Sequence, residues 1–418
     1  MIFTILGGVI LNKVLGIVAE YNPFHNGHKY HLEQSKKISG CDYTVAVIGG
    51  NFTQRGDVSL VDKWKKAEMA LLSGIDLVLE LPVVYTTSSA ENFADGAIKL
   101  LDSLKIVDTV SFGTETDSLD LLDTIADVLA KEPKEFVSLL QKELKNGESF
   151  PKARENALLQ YLKGSSQYSS ILKTPNNILA IEYLKALKKR KSRINPIIIK
   201  REKTDENSIK IKKGFASSSE IRELISEKGN VRNLIPKTTF DLLKGTIRDG
   251  ELVLGLDTYE QAILYNLRKM SLEEISALPD VSEGLENKIK KSANEYSSIE
   301  AVIEDVKTKR YTETRIKRIL LHSLLDITQK DIEMSKKALP YARVLAFNAQ
   351  GKKMISAMSK KNPKLNIIVS VKNFVDKSSN KNLLNMLTKD VFATNIYTLG
   401  YQSNGPSNLD FTKKVIKL

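Results

Sequence analysis

Residues 14–31 read VLGIVAEYNPFHNGHKYH, and this stretch contains three of the four histidines of the chain. Its first five residues are apolar and rich in β-branched side chains, which is typical of a buried parallel strand. Asn22-Pro23 then marks a turn, and residues 29–38 can be laid on a helix. The sequence therefore places His25 and His28 at a strand-to-helix turn, where α/β sheets bind nucleotides.

The pattern H-x-G-H at such a turn favours chemistry on phosphate groups. Imidazole N–H groups stabilise the charge that builds on phosphoryl oxygens when the α-phosphorus of a nucleoside triphosphate is attacked. Gly27 leaves room for a nucleotide against the backbone, and free amides at the helix N-terminus add a positive field. Alternatively, His25 and His28 are ordinary surface or core histidines, or bind a metal together with His31. No metal site is expected, because no Cys or carboxylate with matched spacing lies nearby.

The composition is that of a soluble globular protein. The 418 residues, 42% hydrophobic and 27% charged, suffice for two or three domains and exclude a disordered chain. A net charge of +13 favours a polyanionic partner. Cys41 is the only cysteine, which excludes an internal disulfide and suits a reducing cytoplasm. Residues 1–11 are apolar, but they lack the basic N-terminal region of an export signal and are too short to span a membrane. We therefore expect neither an export signal nor a membrane partner. This segment is expected to be an extra strand or an upstream extension.

Strands and helices alternate through the first half of the chain. The loop at 49–57 is polar and glycine-rich and lies at the same sheet edge as the histidines, so Arg55 is a candidate contact for a triphosphate or for RNA, and a plain connecting loop fits equally well. In the helix predicted at 62–73, Trp64 is expected to pack in the core and Lys65-Lys66 to face solvent. Further strands are predicted at 43–48, 75–81, 109–112 and 194–199.

A second phosphate signal follows the last of these strands. Residues 215–222 read FASSSEIR, in which Ser217 and Glu220 form the capping-box pattern S-x-x-E and predict a helix start. A helix start that is lined by hydroxyl groups and carries Arg222 also suits phosphate groups. The chain contains no G-x-x-x-x-G-K-[ST] motif, so phosphate binding by a P-loop is not expected.

Beyond Gly229 the alternation gives way to a run of helices, and a basic cluster stands out among them. Between residues 307 and 318, six Lys and Arg residues surround Tyr311. Such a run is often only a solvated helix face, but guanidinium groups mixed with an aromatic ring suit RNA phosphates and an unstacked base. We expect RNA contacts from Lys309, Arg310, Arg315 and Arg318. After Pro340, strands at 342–347 and 365–371 with a helix between them form a small α/β element that either positions RNA or extends the core.

The run AEYNPFHNGHKYHL resembles the HxGH signature of the nucleotidylyltransferase superfamily and, over its full length, the bacterial tRNA(Met) cytidine acetate ligase family. The resemblance starts at about Lys13 or Val14 and covers most of the chain. It implies an ATP-dependent ligase that activates acetate as acetyl-adenylate, with Mg²⁺ on the phosphates, and acetylates the wobble cytidine of elongator tRNA(Met). The other stretches that carry it are GGNFTQRGD, SGIDLVLELP, SFGTE, TPNNILAIEYL, FASSSEIREL, SEGLENKI and KTKRYTETRIKRILLH.

The same resemblance implies the site residues. His25, His28 and Arg222 would be catalytic, with Arg222 on the β- and γ-phosphates. Asn176 is placed ahead of Asn177 as an ATP contact. The full set of implied ATP contacts is Val18, Ala19, Glu20, Tyr21, Asn22, Pro23, Phe24, His25, Asn26, Gly27, His28, Lys29, Tyr30, His31, Gly113, Asn176, Arg201 and Ser218.

We therefore predict an α/β fold with a Rossmann-like HxGH nucleotidylyltransferase core. The predicted domains are an ATP-binding, adenylate-forming domain at 14–230, a helical, basic RNA-binding region at 231–339 and a small α/β element at 340–418. Two other functions fit the same motifs: a nucleotidylyltransferase of small-molecule cofactor synthesis, and a non-catalytic nucleotide-sensing RNA-binding protein. Intact His25, His28 and Arg222 argue against the second.

Overall fold

The computed structural model describes residues 11–163, 166–201, 214–338 and 340–418. The apolar N-terminal segment considered above lies, except for residue 11, outside the described residues. Within the described residues the chain forms one eight-stranded sheet flanked by helices. Its strands are β1 Val14–Ala19, β2 Tyr43–Gly49, β3 Leu77–Leu81, β4 Thr109–Thr114, β5 Asn195–Lys200, β6 Ala342–Phe347, β7 Ile367–Ile368 and β8 Ile416–Lys417.

The order of the strands positions the ligand crevice. They run β5-β4-β1-β2-β3-β6-β7, and β8 pairs with β6. The five strands from β5 to β3 are parallel, and β6 is antiparallel to β3. Because the chain turns from one side of β1 to the other, the crevice of a doubly wound sheet lies at the carboxyl ends of β1 and β4. This arrangement confirms the predicted Rossmann-like α/β fold.

Helices cover both faces of the sheet and fill the region after β5. Six of them were not predicted from the sequence, namely those at 83–86, 166–172, 237–248, 329–337, 371–377 and 409–412. The strand predicted at 365–371 shortens to the two residues of β7. No helix in the described parts of the chain has the length and apolarity needed to cross a membrane. The helices are α1 Asn26–Ser39, α2 Lys63–Leu72, α3 Val83–Thr86, α4 Ala90–Ser103, α5 Leu119–Lys131, α6 Lys134–Lys145, α7 Phe150–Tyr161, α8 Ser166–Leu172, α9 Pro175–Arg190, α10 Ser218–Ser226, α11 Lys237–Arg248, α12 Glu260–Lys269, α13 Leu272–Ser276, α14 Leu285–Glu295, α15 Ile299–Val306, α16 Glu313–Leu325, α17 Gln329–Lys337, α18 Ala349–Lys361, α19 Val371–Lys377, α20 Lys381–Tyr397 and α21 Leu409–Thr412.

The central strand β1 is buried on both faces, as its continuous apolar run predicts. Val14 packs into one core, whereas Leu15 and Ile17 pack into the other. A Cβ atom on Gly16 would lie 3.1 Å from side-chain carbons of Leu101 and Val107. The glycine therefore lets α4 pack closely on the strand that leads to the histidines.

The segment after Pro340 extends the sheet of the core. In the β3–β6 ladder, Glu80 is paired with Arg343. A buried ion cluster joins β3, which carries Glu80, to β6, which carries Arg343. Lys63 Nζ lies 2.9 Å from a Glu80 carboxylate oxygen and 2.7 Å from an Asp410 carboxylate oxygen. Arg343 bonds to both carboxylates. Of the two roles left open for this segment, core extension is observed. The domain boundaries near 230 and 340 stay predictions.

The prediction that Lys65-Lys66 faces solvent is wrong for Lys66, which is fully buried. Its ammonium group donates to the carbonyl oxygens of Gly49 and Gly50, at 2.7 and 2.5 Å, and to Ser59 Oγ at 2.9 Å. The carbonyls at the end of β2 need a donor inside the fold, and the lysine supplies it. Burial lowers the pKa of Lys66 to about 8. Trp64 is buried, as predicted.

Candidate active site

The turn after β1 is built around an imidazole cap. His25 is the N-cap residue of α1, and its Nδ1 accepts a hydrogen bond from the Gly27 amide at 3.0 Å. His28 Nδ1 accepts from the His25 amide at 3.3 Å, and the two rings stack with centroids 3.7 Å apart. A Cβ atom on Gly27 would lie 2.8 Å from His25 Cε1. The glycine of H-x-G-H is thus required for the histidine to cap its own helix.

This cap fixes where the imidazole protons lie. Since both Nδ1 atoms accept hydrogen bonds, the neutral rings of His25 and His28 carry their protons on Nε2. Burial, reinforced by the charge of Arg201, lowers the pKa of His25 to about 3. Burial is also the main cause that holds the pKa of His28 well below its usual range. At neutral pH the pair therefore offers two uncharged N–H donors.

The expectation that α1 offers free amides to a ligand needs correction. The Asn26 amide donates to Leu234 O at 3.0 Å, the Gly27 amide donates to His25 Nδ1, and the His28 amide donates to His25 O at 2.9 Å. The first amides of the helix are therefore used within the protein. The Nε2–H groups of the histidines remain as the donors at this helix start.

His31 lies one turn further along α1 and ties that helix to β4. Its Nε2 is 3.1 Å from Ser111 Oγ, which is 2.6 Å from Ser35 Oγ, and the Ser35 hydroxyl donates to His31 O. Because Ser35 gives its proton to that carbonyl, Ser111 donates to Ser35 and His31 Nε2–H donates to Ser111. Burial lowers the pKa of His31 to about 4.

We expect none of the four histidines to titrate between about pH 8 and about pH 5 in the folded chain. Burial is the leading cause for each, and for His322 it lowers the pKa to about 4. The measurement is the pH dependence of the four Hε1 signals in NMR spectra, with the urea-unfolded chain as the control, in which all four should titrate near about 6.5. A folded-state midpoint above about pH 6 would contradict the assignment for that histidine.

The same lowered pKa values predict loss of stability in acid. As the pH falls below about 6.5, the unfolded histidines bind protons and the folded ones do not, so the free energy of unfolding decreases down to about pH 4. Urea unfolding at several pH values measures this slope. Replacing His31 with Gln should reduce the slope of the free energy of unfolding against pH by up to about 1.4 kcal/mol per pH unit, because the His31 imidazole no longer titrates in the unfolded chain.

The segment FASSSEIR at 215–222, called here the second signature, packs against the first signature, which contains H-N-G-H at 25–28. Ser217 caps α10, with its Oγ accepting from the Glu220 amide at 3.2 Å, which confirms the predicted capping box; Ser218 follows as the first residue of the helix. Arg222 Nη1 donates to Asn22 O at 3.1 Å, across 200 positions of sequence. This bond brings Arg222 to the turn that carries the histidines, and Ser218 lies one helical turn before Arg222 in α10.

Further contacts hold the two signatures in register. The Asn26 side-chain amide donates to Gly214 O and to Asn233 O, both at 2.9 Å. The Tyr30 ring meets the Phe215 ring edge-on, with centroids 6.0 Å apart. Asn26 and Tyr30, both expected to touch ATP, thus also serve to dock the two halves of the site.

The remaining residues of the first signature differ in how far they are buried. Tyr21 and Phe24 are buried, and the Tyr21 ring packs against the rings of Phe24 and His28 at 4.7 and 4.9 Å. Asn22 is buried, and its side chain bonds to the backbone of Val58 and Leu60. Pro23 is buried beside it, whereas Val18, Ala19 and Glu20 are half-buried at the end of β1. Lys29 is exposed and lies 3.9 Å from Glu33.

The ends of β4 and β5 supply the opposite side of the crevice. The Arg201 amide donates to Thr114 O at 2.8 Å, and its guanidinium lies 3.4 Å from Asn176 Oδ1. Gly113 faces Arg201, since a Cβ atom there would lie 3.4 Å from Arg201 Cγ. Gly113, Asn176 and Arg201 are therefore brought together, and the charge of Arg201 reaches all three histidines.

Asn176 and Asn177 have different neighbours. The helix α9 begins at Pro175, so both asparagines lie in its first turn. Asn177 is buried, and its Oδ1 accepts from the amides of Glu115 and Thr116. Asn176 is only half-buried and reaches Arg201. Asn177 therefore holds the β4 loop, and Asn176 is the asparagine that faces the crevice.

Sequence reasoning missed Glu115 as part of this site. Its carboxylate accepts from the Asn176 side chain at 2.6 Å and from the Asn177 amide at 2.9 Å, at the N-terminus of α9. A carboxylate is stabilised at a helix N-terminus. An acidic residue two positions after Gly113 at a strand end was the available signal.

The four predicted RNA contacts differ in exposure. Lys309 and Arg310 are exposed, and Arg310 pairs with Glu283 at 2.5 Å. Arg315 donates to Asp280 O at 2.8 and 2.6 Å and stacks over the Tyr311 ring. Arg318 does not fit the expectation of a phosphate-facing side chain. It is only 9% exposed and its guanidinium holds the Asp280 carboxylate at 2.8 and 2.9 Å.

We expect replacement of Arg318 to affect stability more than RNA binding. Burial would raise the pKa of Asp280, but the charge and the hydrogen bond of Arg318, with smaller contributions from nearby His322 and Arg315, outweigh it, and the pKa lies below its usual value. Arg318→Met would leave that carboxylate unpaired and lower the free energy of unfolding by about 3 kcal/mol, as measured by urea unfolding. Lys309→Met is the control and should change it by less than about 0.5 kcal/mol.

The crevice, the H-N-G-H cap and the second signature define a HIGH-type nucleotidyl transferase, and the model of the HIGH Nucleotidyl Transferase family matches residues 12–410. A tRNA(Met) cytidine acetate ligase of Thermoanaerobacter sp. (strain X514) is 48% identical over 407 residues, which cover 97% of this chain and 100% of that relative. The chain belongs to the tRNA(Met) cytidine acetate ligase family.

Two solved structures support this assignment to the family. The apo crystal structure of Thermotoga maritima TmcAL superposes with a TM-score of 0.93 at 35% identity, covering 97% of this chain and 100% of that chain. The structure of the same protein bound with alpha-thio ATP has a TM-score of 0.91 at the same identity and coverage. The shared fold thus extends to a relative with a bound ATP analogue.

Proposed function

We propose that this chain is an ATP-dependent ligase that activates acetate as acetyl-adenylate and acetylates the wobble cytidine of elongator tRNA(Met) at its exocyclic amine. The observation that carries this proposal is the pair of neutral Nε2–H donors of His25 and His28, set beside Arg222 at the carboxyl end of β1. The alpha-thio ATP bound to the relative and the printed names of the curated relatives support it. The cytoplasm, where tRNA is found, is the proposed location.

In the first step, an acetate oxygen attacks the α-phosphorus of ATP. The bond from that phosphorus to the bridging oxygen breaks, and pyrophosphate leaves with the electron pair. His25 and His28 would donate to the phosphoryl oxygens as negative charge builds there, and Arg222 would hold the β- and γ-phosphates of the leaving group. Because the donors are already fixed by the cap, little reorganisation opposes the reaction.

In the second step, the cytidine amine attacks the acyl carbon of the adenylate. The bond from that carbon to the AMP oxygen breaks, AMP leaves, and the nitrogen loses a proton. Gly113, Asn176 and Arg201 would hold the nucleotide at the ends of β4 and β5 throughout, as would the implied contacts from Val18 to His31 and Ser218. Arg201 would keep a cation near the AMP phosphate as it departs.

We propose that Mg²⁺ binds only together with ATP, through the phosphate oxygens. In the described residues, no group of three or more His, Cys, Asp or Glu side chains is arranged to hold a metal ion. Glu115 and Glu20 lie near the crevice, but they accept hydrogen bonds from Asn176, Asn177 and Gln54. Mg²⁺ prefers phosphate oxygens and water, and there it would neutralise triphosphate charge.

The test of the proposed function is incubation of the purified chain with labelled acetate, ATP and total tRNA, followed by nucleoside analysis. The expected result is label in an acetylated cytidine, with AMP and pyrophosphate released in equal amounts. A product that retains AMP would indicate a nucleotidyl transfer instead. Binding of ATP and tRNA without labelled product would support the non-catalytic alternative.

A further inference from the structure

We infer that Arg55 is an RNA-positioning residue that holds a phosphate of the tRNA chain next to the reacting cytidine. This rests on the proposed function and adds a contact that lies outside the basic cluster. Arg55 is exposed, and its guanidinium forms no hydrogen bond or ion pair with any described residue. Gly56 N donates to Thr53 O at 3.1 Å, so Gln54 and Arg55 form the tip of a β-turn.

The turn is rigidly attached to the catalytic strand. The Gln54 amide donates to Glu20 Oε1 at 2.7 Å, and Glu20 directly follows β1. The Gln54 side chain donates to Ser88 O at 3.0 Å. Below the turn, Thr53 pairs with Asp57 and the buried Lys66 holds the carbonyl groups of Gly49 and Gly50. A side chain at this tip is therefore presented in a fixed place rather than on a loose loop.

The other side of the turn rests on the helix that carries the basic cluster. Gly56 has φ +76°, and a Cβ atom there would lie 2.5 Å from Arg318 N and 2.6 Å from Lys317 C. Only glycine permits this approach of the turn to α16. Arg55, one residue away, thus lies between the end of β1 and the helix with Lys317 and Arg318.

The position of the turn in the sheet decides between its two possible ligands. Gly113 and Arg201 lie at the ends of β4 and β5, on one flank of β1, where the nucleotide crevice opens. The turn follows β2, on the opposite flank, where α16 also lies. Arg55 therefore lies between the helix that carries part of the basic cluster and the end of β1. A phosphodiester group is its matching ligand.

The test compares Arg55→Gln, Arg55→Lys and the control Arg193→Gln in the full chain. Arg193 is exposed and precedes β5, at the opposite edge of the sheet. Arg55→Gln should raise the Kd for a tRNA(Met) transcript by about tenfold and reduce the slope of log K against log salt by about 0.7. Arg55→Lys should recover the salt slope, because it keeps the charge, but only part of the affinity.

Acetate-dependent exchange of pyrophosphate into ATP, measured without tRNA, separates this proposal from its rivals. The rate of exchange in both Arg55 variants should equal the rate in the Arg193→Gln control. A loss of exchange in Arg55→Gln would show that the guanidinium serves the triphosphate and would overturn the proposal, as would an unchanged Kd and salt slope. Failure of the proposed function has a different signature, because the unaltered chain would then transfer no acetate to tRNA.

Discussion

Replacing His28 with alanine should lower the rate of acetate-dependent pyrophosphate exchange by about a hundredfold or more. The variant loses one of the two Nε2–H donors that, in the proposed mechanism, stabilise the developing charge. It leaves the bond from the Gly27 amide to His25 Nδ1 in place, so α1 keeps its N-cap bond and loses only the longer bond, at 3.3 Å, from the His25 amide to His28 Nδ1. His28 is for this reason a better target than His25, whose removal would also expose the amide of Gly27.

The control for this variant is Lys37→Ala, an exposed residue near the far end of α1 that should exchange at the unaltered rate. Circular dichroism and urea unfolding establish whether His28→Ala is folded. Exchange at the full rate in a folded His28→Ala chain would remove the histidine pair from the mechanism. His28→Asn, which keeps a side-chain N–H, should retain more exchange than the alanine variant.

Replacing Lys309 and Arg310 together with glutamine should weaken tRNA binding by about ten- to a hundredfold at low salt. Both are exposed, unlike Arg318, so they can reach phosphates without breaking a buried ion pair. Each lost phosphate contact on a single strand removes about 0.7 from the salt slope, so a drop of about 1.4 is expected if both residues contact phosphates. Filter binding of labelled tRNA(Met) over a range of salt concentrations measures both quantities.

The matched control is the exposed doublet Lys352 and Lys353 on α18, replaced in the same way. This helix begins near Asp76, before β3, at the edge of the sheet opposite the crevice. The control removes the same charge and should change tRNA affinity little. Equal losses in both doublets would mean that net charge, and not the cluster, attracts the RNA. Pyrophosphate exchange should survive in both, because neither doublet touches the nucleotide crevice.

The sequence predicts those features of the fold that depend on local pattern. The apolar run of β1, the Asn22-Pro23 turn and the S-x-x-E start of α10 each determine their own element, and all three are observed. The H-N-G-H motif correctly predicted that the histidines lie at the turn between β1 and α1. It did not reveal that they accept hydrogen bonds from the amides of their own helix, because that depends on the three-dimensional path of the cap.

Contacts between distant residues lay beyond sequence reasoning. Arg318 and Asp280 are 38 positions apart, and no spacing rule relates them, so the arginine looked like its exposed neighbours. Lys66 looked like one more solvated lysine, because its three acceptors lie at the end of β2 and in the loop after it, 7 to 17 positions away in the sequence. Long-range partners decide whether such a cation is a ligand contact or part of the core.

The ion cluster of Lys63, Glu80, Arg343 and Asp410 has a consequence for synthesis on the ribosome. Two cations and two carboxylates balance in this cluster, but Asp410 is synthesised 67 residues after Arg343, the last of the other three members. A nascent chain in which Asp410 has not yet emerged would bury one uncompensated positive charge, at a cost of several kcal/mol. A product shortened by early termination should therefore be an unstable substrate for proteases rather than a ligase of reduced activity.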